Sequence, residues 1–109
     1  MESETWSQTE KKAAHAAFEQ AYARECKAIA GNVRARAERL DDPAELWKLT
    51  GYLLGRRREI DEKYDYRYSV LITVFARLVH EGWLTLDDLK GLREDKIRRI
   101  QEYLGIAST

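Results

Sequence analysis

The sequence has little cysteine and histidine, and each shortage excludes a class of site. The only cysteine, Cys26, excludes an intramolecular disulfide and a cysteine-cluster metal site. The two histidines, His15 and His80, lie far apart, so no metal-binding histidine spacing occurs. We therefore expect no metal and no other cofactor, and we expect Cys26 to be a reduced, buried hydrophobe.

The chain also has no net charge and no long apolar run. It carries 19 basic and 19 acidic residues, whereas nucleic-acid-binding domains are usually basic and membrane-surface helices usually have a basic bias. No segment approaches the ~20 apolar residues of a membrane span, and residues 1–10 are too polar and acidic for a signal peptide. We expect a cytoplasmic protein with no membrane insertion and no nucleic-acid partner. A nucleic-acid-binding helical dimer stays an alternative, which would use Arg34, Arg36, Arg39, Arg56, Arg57 and Arg58.

Motifs of catalysis are missing as well. The sequence contains no glycine-rich phosphate loop and no nucleophile elbow. The acidic pairs Asp41-Asp42 and Asp87-Asp88 fit the starts of helices, where carboxylates interact favourably with the helix dipole. The sequence therefore predicts no catalytic residue, no small-molecule substrate and no enzymatic activity.

Apolar residues recur at helical spacing across residues 8–40, which predicts a single long helix with one apolar stripe. Ser7 and Glu10 have the spacing of a capping box at its start. A helix of this length spans roughly 48 Å. The stripe consists of Phe18, Tyr22, Cys26, Ile29, Val33, Ala37 and Leu40.

A helix this long cannot lie inside a compact globule of about 100 residues, whose radius of gyration is only about 13 Å. It must therefore protrude, and its apolar stripe needs a cover. Another copy of the chain is the simplest cover for such a face. We predict a homodimer whose interface contains Phe18, Tyr22, Cys26, Ile29, Ala30, Val33 and Ala37.

The rest of the sequence also predicts helices. Asp42 and Pro43 start a second helix, which runs to about Lys63 and packs antiparallel to the first. The apolar residues of 66–81 predict a core helix, and residues 93–104 a final one. We predict an all-α fold with a long antiparallel hairpin stalk over residues 1–65. A small helical head over residues 66–109 supplies its own core, and the stalk forms the dimer.

The second helix contains the most distinctive surface residues. Arg57 follows Trp47 by ten residues on the same predicted helix, so the two side chains lie ~15 Å apart along it. Tryptophan and arginine are enriched at binding hot spots. A solvated, salt-bridged face for Arg56, Arg57 and Arg58, and ordinary packing for Trp47, remain open alternatives.

Several runs of residues, in order along nearly the whole chain, resemble one family. Together they resemble the fluorescence recovery protein family of cyanobacteria. The runs include Trp6-Ser7-Gln8, Ala14-His15-Ala16, Leu46-Trp47-Lys48-Leu49, Arg57-Arg58-Glu59-Ile60-Asp61, Val74-Phe75-Ala76 and Leu86-Asp87-Asp88-Leu89-Lys90.

The resemblance implies an all-helical dimer with a stalk and a head. It also implies a partner, the photoactivated red form of the orange carotenoid protein. Members of the family speed the return of that partner to its resting orange form and help to detach it from the phycobilisome, so that fluorescence recovers. No bond chemistry is needed, because a protein that binds the transition state of domain closure most tightly lowers the barrier.

The family's activity maps to a patch on the second stalk helix with a tryptophan, a His-Asp pair and an arginine. Trp47 and Arg57 match the tryptophan and the arginine, whereas Thr50 and Gly51 stand in place of the His-Asp pair. We predict that Trp47, Thr50, Gly51, Leu54 and Arg57 bind the partner. The alternative is a homodimeric helical adaptor of the same fold with a different, non-photoprotective protein partner.

Overall fold

The computed structural model describes residues 5–105, and within that range the chain contains helices, turns and loops but no strand. The all-α prediction is confirmed. The α-helices are α1 (Gln8–Ala37), α2 (Pro43–Lys63), α3 (Leu71–His80) and α4 (Glu94–Tyr103), and a short 3-10 turn covers Asp87–Leu89 between α3 and α4.

The molecule is elongated, as the long first helix predicted. Its principal extents are 54 × 28 × 23 Å and its radius of gyration is 17.1 Å, against about 13 Å for a compact chain of similar length. The 30 residues of α1 span about 45 Å, which accounts for most of the longest dimension. α1 and α2 form an antiparallel hairpin that projects from the smaller helices.

Side-chain caps fix where the hairpin helices begin. Ser7 and Glu10 form the predicted capping box, with both backbone-to-side-chain hydrogen bonds at 3.1 Å. Asp42 caps α2 by accepting a hydrogen bond from the Glu45 amide at 3.0 Å. α1 ends at Ala37 rather than at the predicted Leu40. The amides of residues 39–41 form the shorter-range hydrogen bonds of turns instead of α-helical ones, just before Asp42 caps the next helix.

The prediction of a helix over residues 66–81 was wrong at its start, since α3 begins only at Leu71. Before it, Tyr64, Tyr66 and Tyr68 alternate with charged residues. A period of two puts all three rings on one side of an extended segment, whereas on a helix they would point in different directions.

The three tyrosine rings pack against α1 and its N-terminal flank. The Phe18 ring lies edge-on to Tyr64 and Tyr66, with centroid distances of 5.3 and 4.8 Å. Trp6 lies 5.3 Å from Tyr68. The packing of these rings holds the connection between α2 and α3 in an extended form.

The hydrophobic core of the head crosses the predicted boundary at residue 65. Phe75, Leu71 and Leu78 of α3 are fully buried, and α1 contributes fully or almost fully buried alanines to the same cluster. Small alanine side chains on this face of α1 leave room for the larger side chains of the cluster. Residues 70–104 were expected to supply this core alone, but α1 supplies part of it. The α1 contribution is Ala14, Ala17 and Ala21, and Trp6 adds to it from the preceding residues.

Buried charges also tie the C-terminal part of the head to α1. The Lys96 ammonium lies 3.2 Å from the Glu10 carboxylate and donates to the Thr5 carbonyl at 2.7 Å. Burial raises the pKa of Glu10. Hydrogen bonds from the Arg93 and Ser7 amides and from Lys96 together lower this pKa by more than burial raises it. The pKa of Glu10 therefore lies below its ordinary value, and the carboxylate stays charged where it is buried.

Candidate functional site

The outer face of α2 points away from α1 and carries large exposed side chains. Trp47 is 67% exposed and Leu54 is 59% exposed. Because they lie seven residues apart, about two helical turns, they share one side of the helix. Exposed tryptophan and leucine on one face are typical of a protein-binding surface.

The other three predicted partner-binding residues lie on or beside the same face. The Arg57 side chain is 81% exposed, and its Nε atom lies 3.8 Å from the Asp61 carboxylate. Thr50 is exposed and donates its hydroxyl to the Leu46 carbonyl at 3.4 Å. A Cβ atom added to Gly51 would have no neighbour within 4 Å. The structure thus brings all five residues together, and we call Trp47, Thr50, Gly51, Leu54 and Arg57 the outer-face patch.

The three consecutive arginines have different environments, as expected from their spread around the helix. Arg57 and Arg58 are exposed, which fits a solvated face. Arg56 turns towards α1, where it donates to Glu25 at 2.8 Å and also pairs with Glu59. The arginines therefore do not form one flat basic surface.

A buried cluster of charges lies at the junction of α1, α2 and the end of α3, and the sequence analysis missed it. Glu25 is fully buried and accepts hydrogen bonds from Arg56 at 2.8 Å, Lys63 at 2.7 Å and the Tyr64 hydroxyl at 2.8 Å. Burial and the hydrogen bond to Glu25 raise the pKa of Tyr64, so its hydroxyl remains a donor. Helical spacing could have revealed the cluster, because Lys63 and Arg56 lie two turns apart on the inward face of α2.

The predicted dimer stripe lies along one edge of the hairpin. Tyr22, Cys26 and Ile29 line a shallow groove with Leu53 and Ile60 of α2. Tyr22 and Leu53 are 44% and 40% exposed. The stripe was expected to lack any cover within the chain, but α2 covers one side of it. Cys26 is half-buried rather than fully buried.

The other residues of that stripe differ in exposure. Ala30 and Val33 are half-buried, and Ala37 is exposed. Phe18 already packs between tyrosine rings of its own chain. The open part of the stripe therefore begins at Tyr22 and continues towards the tip of the hairpin.

Over residues 5–105, no group of three or more His, Cys, Asp or Glu side chains is arranged to hold a metal ion. Within the same range, no helix is both long enough and apolar enough to cross a membrane.

Comparison with known proteins identifies the family. Residues 6–103 match the family described as photoprotection regulator fluorescence recovery protein. The chain belongs to the fluorescence recovery protein family. The family is one of regulators rather than of enzymes.

Individual relatives agree with the family match. The chain is 44% identical over 96 residues to the fluorescence recovery protein of Synechocystis sp. PCC 6803, covering 88% of each sequence. Solved structures of the fluorescence recovery proteins of Fremyella diplosiphon and of Synechocystis match it with 46% and 42% identity. Each match has a TM-score of 0.89 and covers 93% of this chain and 99% of the other. The stalk-and-head helical architecture is thus that of fluorescence recovery proteins.

Proposed function

We propose that this protein binds the photoactivated red form of the orange carotenoid protein and accelerates its return to the resting orange form. Phycobilisome fluorescence is thereby restored. The observation that carries the proposal is the outer-face patch, where Trp47 and Leu54 are exposed beside Arg57 on a helix of a fluorescence recovery protein. Apolar and arginine side chains in one patch favour a protein surface with an apolar centre and an acidic rim.

The proposed acceleration requires binding and no covalent step. A partner with two domains that separate on photoactivation must bring them together again to revert. If the patch binds the closing arrangement more tightly than the open one, the barrier to closure falls by the difference in binding free energy. About 1.4 kcal/mol of differential binding gives a tenfold acceleration.

We also propose that the protein works as a cytoplasmic homodimer formed along the open edge of the hairpin. Tyr22, Ile29 and Leu53 leave apolar surface open there. A second copy that buries this surface by a twofold arrangement would satisfy both chains at once.

The departure from the family's His-Asp pair gives a direct test. We expect the double variant Thr50→His/Gly51→Asp to fold with equal or higher thermal stability. The added Cβ at Gly51 meets open space, and a glycine inside a helix destabilises the helix by about 1 kcal/mol relative to alanine. We expect it to accelerate dark reversion of the red carotenoid protein more than the unmodified chain does. The rates are measured by absorbance after photoactivation.

A matched control separates the patch from a general effect of an added carboxylate. Gly31→Asp changes an exposed helix glycine of α1 that likewise has open space at its Cβ, and it should leave the reversion rate unchanged. Equal rates for the restored and unmodified chains would show that the pair is dispensable and that Trp47 and Arg57 suffice. Failure of both chains to accelerate reversion would favour the adaptor with another protein partner.

A further inference from the structure

The inward face of α2 carries charged as well as apolar side chains. Ile60 and Lys63 are buried there, and Arg56 also turns towards α1, whereas Trp47 and Leu54 remain 67% and 59% exposed. Burial of Ile60 favours the observed rotation of α2, whereas burial of Trp47 and Leu54 would favour the opposite one. Apolar burial alone therefore does not account for the two cations on the inward face.

Glu25 binds both of these cations. Its carboxylate is fully buried and binds Arg56 at 2.8 Å and Lys63 at 2.7 Å, and the Lys63 side chain is only 2% exposed. A buried carboxylate without cationic partners would be strongly unfavourable. The hairpin therefore stays in the arrangement that brings both cations of α2 to Glu25.

Helix geometry links these inward ion pairs of α2 to the outer-face patch on the same helix. Arg56 and Lys63 are seven residues apart and share one face of α2, so a single carboxylate reaches both. Leu54 precedes Lys63 by nine residues, which places it about 180° away around the helix. A rotation that buried Leu54 would pull both cations away from Glu25.

The same cluster includes the end of the head's central helix. Lys63 donates to Glu81, which follows α3 directly, at 2.6 Å. Glu81 also accepts from Arg77 at 2.9 Å and from the Trp83 indole at 3.2 Å. Lys63 thus joins Glu25 of α1 to the C-terminal end of α3.

We propose that Glu25 is a positioning residue that sets the rotation of α2, and that it thereby turns the outer-face patch towards solvent. Buried ion pairs often add little stability compared with apolar residues of similar size, but in some proteins they select one arrangement among several. The positioning role concerns the hairpin itself. Its consequence for partner binding rests on the function proposed above.

Distances between spin labels test the rotation. In a Cys26→Ser background, labels at Ala28→Cys of α1 and Arg58→Cys of α2 occupy exposed positions. Mixed with an excess of unlabelled chain, so that at most one chain of a dimer carries labels, this background should give one narrow distance. The variant Glu25→Gln/Arg56→Gln/Lys63→Gln removes all three charges without adding apolar surface to this face. It should remain helical but give a second or shifted distance, because a 100° turn of α2 moves a Cβ atom by about 5 Å. One unchanged narrow distance would overturn the proposal.

A milder pair of variants covers the case in which the triple variant loses its circular dichroism signal. Glu25→Gln keeps the side-chain shape but removes the charge, and it should broaden the label distance. Glu45→Gln makes the same change in the exposed pair with Lys48 of the same hairpin and should not. An unchanged distance in Glu25→Gln would contradict the proposal.

The rate at which the photoactivated carotenoid protein reverts distinguishes a positioning role of Glu25 from a merely stabilising one. The triple variant should accelerate reversion at least tenfold less than the unmodified chain while its circular dichroism spectrum stays helical. If the unmodified chain does not accelerate reversion, the proposed function fails, whereas the label distances still decide the role of Glu25.

Discussion

Replacing Trp47 with alanine should weaken binding to the photoactivated carotenoid protein at least tenfold. Trp47 is 67% exposed in the chain, and truncation of a tryptophan that becomes buried in an interface typically costs over ~2 kcal/mol of binding free energy. The thermal midpoint should change little, because the side chain has few contacts within its own chain to lose. Titration of the red form, followed by its dark reversion or by calorimetry, measures the dissociation constant.

Tyr103→Ala is the matched control for Trp47→Ala. Tyr103 is a large aromatic residue with 58% exposure at the end of α4, in the head rather than on the stalk. Its removal should leave affinity within about twofold, as is usual for residues outside hot spots. Sedimentation should show the same oligomer for Trp47→Ala as for the unmodified chain. Dissociation of the oligomer by Trp47→Ala would instead place Trp47 in the contact between copies.

Placing a charge at Val33 should convert a micromolar dimer into monomers. Val33 is half-buried in the stripe that continues from the open groove of Tyr22 and Ile29. If a second copy covers this edge, a glutamate there would be buried without a cationic partner, at a cost of several kcal/mol. Sedimentation equilibrium of Val33→Glu should give the monomer mass, and circular dichroism should remain strongly helical.

Ala28→Glu provides the control for the Val33 variant. Ala28 is exposed on α1 but lies away from the stripe, about 140° around the helix from Val33. It adds the same charge to the same helix and should leave the dimer intact. A stable monomer of the unmodified chain at these concentrations would show that the hairpin edge has no partner copy.

Local patterns predicted the helices well where neighbouring residues decide the structure. The capping residues Ser7 and Asp42 lie where they were expected, because each satisfies amides within its own first turn. The period of the apolar stripe likewise identified α1 as one long helix. Helix geometry left open whether Trp47 would pack inside the chain, and the structure shows it 67% exposed.

The errors arose where distant residues decide the structure. The start of α3 was placed too early because Tyr66 and Tyr68 are held by rings of α1 and its flank, which no local period reveals. The sequence did not reveal the inward face of α2, for a similar reason. Leu46 and Leu53 are 44% and 40% exposed, and Glu25, distant in sequence, draws Arg56 and Lys63 inward.

The central claim is that this chain acts on the orange carotenoid protein, and dark reversion tests it most directly. The carotenoid protein is converted to its red form by light, the light is removed, and the absorbance change is followed with and without the chain. We predict that the chain accelerates reversion, because tighter binding of the closing arrangement than of the open one lowers the barrier to closure. An unchanged reversion rate at excess chain would contradict the proposed function.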